Sequence, residues 1–482
     1  MEKFIDAFSN ALYSYILIIL LVGGGIFFTI KSKFFQFRSF KDQIKSVTEK
    51  PADKDGVSSF QALMVSTASR VGTGNIVGVA TAICLGGFGS VFWMWIIAII
   101  GMASALVEST LAQIFKKRGL QGCYGGPAYY IESTFKSRIP AVIFSIFLIL
   151  TYGVGFNMLA SYNLQATFAT YNFYVPNVTS WIIGGIIAFF VALCLFGGGK
   201  AIIKTTSFLV PIMGVAYVLV SIVVVAINIT NLPAVFVTIF KEAFDFKAIF
   251  GGFSGSCLMY GIKRGLFSNE AGVGSAPNAS ASAEVSHPVK QGLVQMLSVF
   301  IDTVIICSAT AFMCMTSNTP AGPEIEGATY VQNALQSTLG GFGPIFITVA
   351  MVLFAFTTLL GNLFYVDKAL AYILKKEPGK IFKYVYYIIA SALVFIGAGL
   401  SSSLLWNLAD IFMGLMAVIN IPTILALSKY VFRAIKDYAQ QKKKSKTPTF
   451  TTQAIGLDGE FDYWQEDETT PTLDKVEVTN EG

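Results

Sequence analysis

Long apolar runs constrain this chain more than any other feature. A helix that crosses a bilayer needs about 20 mostly apolar residues. Eleven runs approach or meet that length, near 11–30, 60–84, 88–115, 141–165, 180–198, 205–228, 249–275, 291–316, 344–372, 384–400 and 404–428. Only 13% of the residues are charged, whereas a soluble domain carries about a quarter. With 54% hydrophobic residues, the chain cannot cover itself with a water-compatible surface. In lipid the backbone must satisfy its own hydrogen bonds, so the expected fold is all-α and polytopic. Glu2, Lys3 and Asp6 precede the first run, where a signal peptide would carry a positive segment. No small-residue cleavage site follows it, and the run is expected to remain a span.

The basic residues sort by loop. With the N-terminus outside, the inner loops hold 27 of the 34 Lys and Arg, and the outer loops hold Lys3, Lys241 and Lys247. One missed span would scramble that asymmetry, so the positive-inside rule supports eleven spans with N-terminus out and C-terminus in. The expected location is a bacterial or archaeal plasma (inner) membrane. The net charge of +6 is dispersed between apolar runs and forms no patch for nucleic acid. From about Gln440 the chain turns basic and then acidic, a composition expected to be disordered. The expected organisation is an N-terminal span and basic loop (1–59), two five-helix blocks (60–228 and 229–432) and a solvated tail (433–482).

The six cysteines form no CxxC pair and read as small apolar fillers. The single histidine, His287, excludes a multi-histidine metal site or proton relay. His287–Pro288 reads as a helix-start turn.

Two runs are interrupted by residues that weaken helices. The second holds Ser66, Thr67, Ser69, Arg70, Gly72, Thr73, Gly74 and Asn75; the seventh holds Gly251, Gly252, Ser254, Gly255 and Ser256. Glycine costs about 1 kcal/mol in a helix, and Ser and Thr compete for backbone groups. Close helix packing uses the same small residues. The two segments start about 190 residues apart and each opens a block of five spans. An odd number of spans inverts consecutive repeats, the pattern of transporters that bind their cargo at broken helices.

The segments "RVGTGNIVGVATAI" (70–83), "GGPAYYIE" (125–132), "RGLFSNEAGVGSAPNASASA" (264–283) and "HPVKQG" (287–292) resemble motifs of the alanine/glycine:cation symporter family, in order, from about residue 55 to 430. The resemblance implies a LeuT-like 5+5 inverted repeat with one extra N-terminal helix. It implies uptake of alanine, glycine or related amino acids, coupled to sodium or, less often, to protons. No cofactor is expected; sodium enters as a co-transported ligand.

Free N–H groups at Thr73, Gly74 and Asn75 suit a substrate carboxylate. Carbonyls around Gly252, Phe253, Ser254 and Gly255 suit its ammonium, with Phe253 as a lid. Phe354, Thr357 and Thr358 share one helix face by spacing. The resemblance gives sodium the hydroxyls of Thr357 and Thr358 and the carbonyls of Phe354, Ala68 and Val71; back-bonding of the threonines within their own helix is the plainer reading. The family's FN-x-x-Q pattern becomes "FNMLASYN" here, with Ala160 in place of Gln. The lost side chain is expected to widen the pocket and admit a longer substrate such as glutamine.

Ionisable residues inside spans are functional candidates, with structural pairing as the alternative. Arg70, Glu270, Asp302 and Asp410 are the gating or coupling candidates, Glu108 is a further acid in the third span, and Lys263 and Arg264 are expected to snorkel. Glu270 is expected near the inner face. An intramembrane enzyme would need a nucleophile–base pair, and a channel would need a carbonyl filter or charged ring. The sequence offers neither. A receptor would bind without flux, and a proton-coupled carrier would respond to pH without sodium.

Overall fold

The computed structural model describes residues 2–51, 56–119, 122–252, 255–376, 378–445, 447–459 and 461–464. Most of it is helix. The first span is α1 (Phe4–Lys31). The second is a bent pair, α2 (Ser59–Arg70) and α3 (Gly74–Gly86), whose axes differ by 52°. Then come α4 (Gly89–Ile114), α5 (Arg138–Thr170), α6 (Thr179–Phe196) and α7 (Lys200–Ile227). A shorter helix, α8 (Cys257–Asn269), precedes α9 (Val289–Thr316), α10 (Phe342–Leu374), α11 (Lys380–Gly397) and α12 (Ser402–Lys442). Among the described residues nine single helices are long and apolar enough to cross a membrane, ten with the bent pair.

The run at 249–275 is where sequence and structure part. Its only helix of more than two turns is α8, 13 residues long, or about 20 Å, short of a hydrocarbon core of about 30 Å. A turn ahead of it, Phe246–Gly251 forms a separate short helix. Behind it the backbone reverses at Glu270 (φ 52°), passes Gly272 and Gly274, both at positive φ, and stays buried to the short helix Pro277–Ser280. Pro277 and the reversed backbone prevent α8 from continuing.

The side chains are arranged for lipid. α6 exposes Ile182, Ile186, Phe189, Phe190 and Leu193, and α7 exposes Phe208, Ile212, Val215, Leu219 and Ile222. Meanwhile Arg70, Asn75, Glu108, Asn157, Glu270, Asp302 and Asn362 are buried. An exposed apolar surface around a polar interior is stable only with hydrocarbon outside. The chain is a multi-pass membrane protein. Small residues bring its helices together: a Cβ on Gly261 of α8 would meet the Ser90 carbonyl of α4 at 2.6 Å.

The tail departs from the expected disorder over its described part. α12 runs to Lys442, and Phe450, Thr452, Ile455 and Trp464 are buried against the helices. Residues 465–482 lie outside the described residues.

Candidate functional site

The break in the second span organises the interior. Ser58 caps α2 through a reciprocal pair with Gln61. The helix ends at Val71 (φ −76°, ψ 87°), and the next helix resumes at Gly74 with one wide π-type turn over Gly74–Gly78. Similar wide turns occur at Ile149–Gly155 in α5 and Phe300–Cys307 in α9. Such turns concentrate at functional sites.

Asn75 closes the break. Its Oδ1 accepts the Gly72 N–H at 2.8 Å. Its Nδ2 donates to Asp302 Oδ1 (2.7 Å) and to Ser268 Oγ (3.0 Å). Ser268 Oγ and Thr303 Oγ1 both donate to Asp302 Oδ2, at 2.7 and 2.8 Å. Thr310 Oγ1 donates to the Asn75 carbonyl at 2.7 Å. One side chain thus joins the break to α8 and α9. Thr73 is held by Asn163 of α5, whose Nδ2 donates to Thr73 Oγ1 at 3.2 Å.

A second network lies on the α2 side. Ser69 Oγ is 3.1 Å from Glu270 Oε1 and 2.6 Å from Asn362 Oδ1. Ser275 Oγ donates to Glu270 Oε2 at 2.6 Å. Glu270 therefore stands beside the break, fully buried. Arg70 Nη1 donates to Gln295 Oε1 at 2.9 Å, while its Nε and Nη2 have no hydrogen-bond partner. The Arg70 hydrogen bond goes to a neutral amide.

Ser69, Arg70, Gly72, Thr73, Gly74, Phe156, Phe267 and Thr358 line a cavity with room for about one water molecule. An amino acid is larger, so occupancy requires these walls to part. On one side Phe267 packs, with tilted rings, between Phe156 (4.5 Å) and Trp406 (4.8 Å). Arg264 lies 4.1 Å over Trp406 and forms a buried ion pair with Asp410 at 2.8 Å. Asp410 is thus paired through α8, and Arg264 is interior and does not snorkel. Lys263 donates to Asn10 at 2.8 Å beneath Tyr13.

The five oxygens expected to hold sodium are only partly assembled. Thr358 Oγ1 donates to the Ala68 carbonyl at 3.1 Å, and a Cβ on Gly72 would run into the Thr358 hydroxyl. Val71 lies in the non-helical turn beside them. Thr357 Oγ1 instead bonds back to Leu353 (3.0 Å) and Phe354 (3.2 Å) within α10. Its other neighbour is Met213 Sδ.

Of the second expected break, the described glycines do not line the cavity. Gly252 and Gly255 are exposed, and Phe253 and Ser254 lie outside the described residues. Phe267 and Ser268, two turns or more further along, stand against the first break in their place: a Cβ on Gly74 would lie 2.7 Å from the Phe267 ring. Both residues fall inside the "GLFSNEAG" stretch, which was the available signal. Ala160 is buried one turn beyond Phe156 but does not line the cavity. Asn163, Gln295 and Asn362 carried no sequence signal beyond being polar in apolar helices.

Comparison with known proteins agrees with the motifs. Residues 1–452 match the model of the sodium:alanine symporter family. Amino-acid carrier protein AlsT of Bacillus subtilis is 42% identical over 97% of this chain and 99% of its own length. The "Probable sodium/glutamine symporter GlnT" of the same organism is 42% identical over 96% of each chain. Sodium/alanine symporter AgcS of Methanococcus maripaludis is 36% identical over 89% of this chain and 95% of its own. The order of motifs, the polar interior around one broken helix and a match over nearly the whole length have one reading: the chain belongs to the sodium:alanine symporter family.

Proposed function

We propose that the chain is a sodium-coupled symporter that imports alanine, glycine and, through its altered fourth span, glutamine. The observation that carries this reading is the Ala68–Thr358 contact beside the free N–H end of α3. The Thr358 hydroxyl and Ala68 carbonyl are oxygens suited to a hard cation, and the hydroxyl lies against Gly72, the residue before the backbone donors at Thr73 and Gly74 that suit a carboxylate. Glutamine enters because one relative is named for it; Ala160, where the family pattern has Gln, is one turn from the cavity wall at Phe156 and does not itself line the closed cavity.

Thr73, Gly74 and Asn75 bind the substrate carboxylate, with Phe267 in the lid role expected of Phe253. Ala68, Val71 and Thr358 supply sodium ligands; Phe354 and Thr357 join them when Thr357 turns from its own helix. Glu270, Asp302 and Arg70 couple the break to α8 and α9, and Arg264–Asp410 closes the aromatic side. Sodium raises substrate affinity because both stabilise the same arrangement, a reciprocal coupling of about 1–3 kcal/mol. Transport proceeds by alternating access in a LeuT-like 5+5 repeat of eleven spans, the seventh built from α8 and its flanking segments. The N-terminus is outside the plasma membrane and the C-terminus inside.

The test is calorimetric binding of alanine to the detergent-solubilised protein, with sodium or choline as the cation. Tight binding only in sodium supports the proposal. Equal binding in both, with affinity that follows pH, moves the coupling ion to the proton.

A further inference from the structure

The end of α4 and the hairpin after it form a cradle. The hairpin pairs β1 (Lys117–Gly119) with β2 (Gly122–Tyr124). The chain's own tail fills the cradle. Trp464 Nε1 donates to the Gln113 carbonyl at 2.8 Å, and its ring is buried. The Lys116 ammonium lies 4.5 Å from the Tyr463 ring centroid and 4.8 Å from that of Trp464. Arg118 lies 4.6 Å over Tyr463, and its Nε donates to the Asp462 carbonyl at 2.8 Å. Asp462 pairs with Lys117 at 2.7 Å. Phe461 packs on Phe115, and Phe450 packs between His287 and Trp464. Cations on aromatic faces, one ion pair and a buried indole make a specific peptide site.

What the tail bridges gives the site a consequence. Arg433 of α12 donates to the Ile455 carbonyl, and Ser286 donates to the Pro448 carbonyl. Gln113, whose carbonyl holds Trp464, sends its side-chain amide to the carbonyls of Ser280 and Ala283. The next residue, Glu284, donates its N–H to Val57, which stands just ahead of the Ser58 cap of α2. The tail thus crosses from α12 to α4 and to the loop that links Glu270 with α9. These contacts tie that loop and the start of α2 to α4.

We propose that the cradle is a docking site for the chain's own residues 450–459 and 461–464, and that docking holds the 270–288 segment against α4 and slows opening on this side. The consequence for rate rests on the transport reading above; the docking does not. Two preparations test it in proteoliposomes: the chain shortened after Lys446, and the full chain with Trp464→Ala. Both are expected to show a several-fold higher maximal alanine uptake rate with an unchanged KM. A synthetic peptide of residues 447–464, supplied on the tail's side, is expected to return the shortened protein to the slower rate. A labelled form of that peptide is expected to bind the shortened protein by fluorescence anisotropy and to lose binding with Lys116→Ala. Absence of peptide binding to folded, shortened protein overturns the docking site. Peptide binding with uptake rates unchanged or lowered in both variants overturns the brake. Binding with no uptake by any form, the full chain included, refutes the transport reading and leaves the docking site standing.

Discussion

The Thr358 hydroxyl of α10 donates to the Ala68 carbonyl of α2 at 3.1 Å, across the turn where the second span breaks. Two helices far apart in sequence are thereby joined by oxygen atoms, at a point where the backbone carbonyls of α2 no longer have a following turn to bond.

Thr358→Ala removes one hydrogen bond and one candidate ligand. A neutral hydrogen bond contributes about 1 kcal/mol, so the sodium concentration for half-maximal uptake is expected to rise roughly fivefold. Thr357→Ala, whose hydroxyl is bonded within its own helix, is expected to shift it less. Sodium titrations of uptake by both variants decide the point; a larger shift with Thr357→Ala reverses the assignment.

Asn75→Ala leaves the Gly72 N–H and the Asp302 carboxylate each short of a partner. Buried groups stranded in this way cost about 1–3 kcal/mol. Expression and membrane insertion are expected to survive while uptake is lost. Normal uptake by this variant removes Asn75 from the site.

Gly72→Ala places a methyl group into the Thr358 hydroxyl. Overpacking of this kind costs about 1–3 kcal/mol. The expected result is lower thermal stability and loss of uptake, with the stability partly recovered when Thr358→Ala is added. No recovery in the double variant indicates that the strain lies elsewhere.

Arg264 and Asp410 are buried together. Arg264→Gln leaves Asp410 uncompensated, at an expected cost of about 3–5 kcal/mol, whereas neutralising both partners costs far less. The melting temperature of R264Q is expected to fall well below that of R264Q/D410N. Equal melting temperatures show the pair to be uncoupled.

The runs, their order and the first break were legible because length and glycine content decide them locally. The seventh run misled for a physical reason. Its glycines at 251, 252 and 255 do weaken helix, but they are exposed, and the buried reversal occurs at Glu270, Gly272 and Gly274. Composition alone cannot tell which of two weak points will be buried. Partners such as Gln295 for Arg70 or Arg264 for Asp410 depend on helix rotation, which apolar runs leave undetermined. The packing of Trp464 depends on a long-range contact with Gln113 that nothing local encodes.

His287 offers a test on the tail's side. Burial pushes its imidazole below the ordinary value of 6.5, opposed by the Asp437 carboxylate 3.3 Å away. A folded-state value below the unfolded one means that stability is full above about pH 6.5 and declines as pH falls through that value. The neighbouring Lys290 cation adds to the cost of protonation. Melting curves between about pH 7.5 and 5.5 (roughly one unit each side of that value) are expected to fall on acidification, and less steeply with His287→Gln. Identical slopes remove His287 as the cause.

The most direct measurement is uptake of labelled alanine and glutamine into tight proteoliposomes, with and without an inward sodium gradient. Accumulation of alanine that requires the gradient is the predicted result, with glutamine carried as well. Accumulation that ignores sodium, or none of either amino acid by folded protein, contradicts sodium-coupled amino-acid transport.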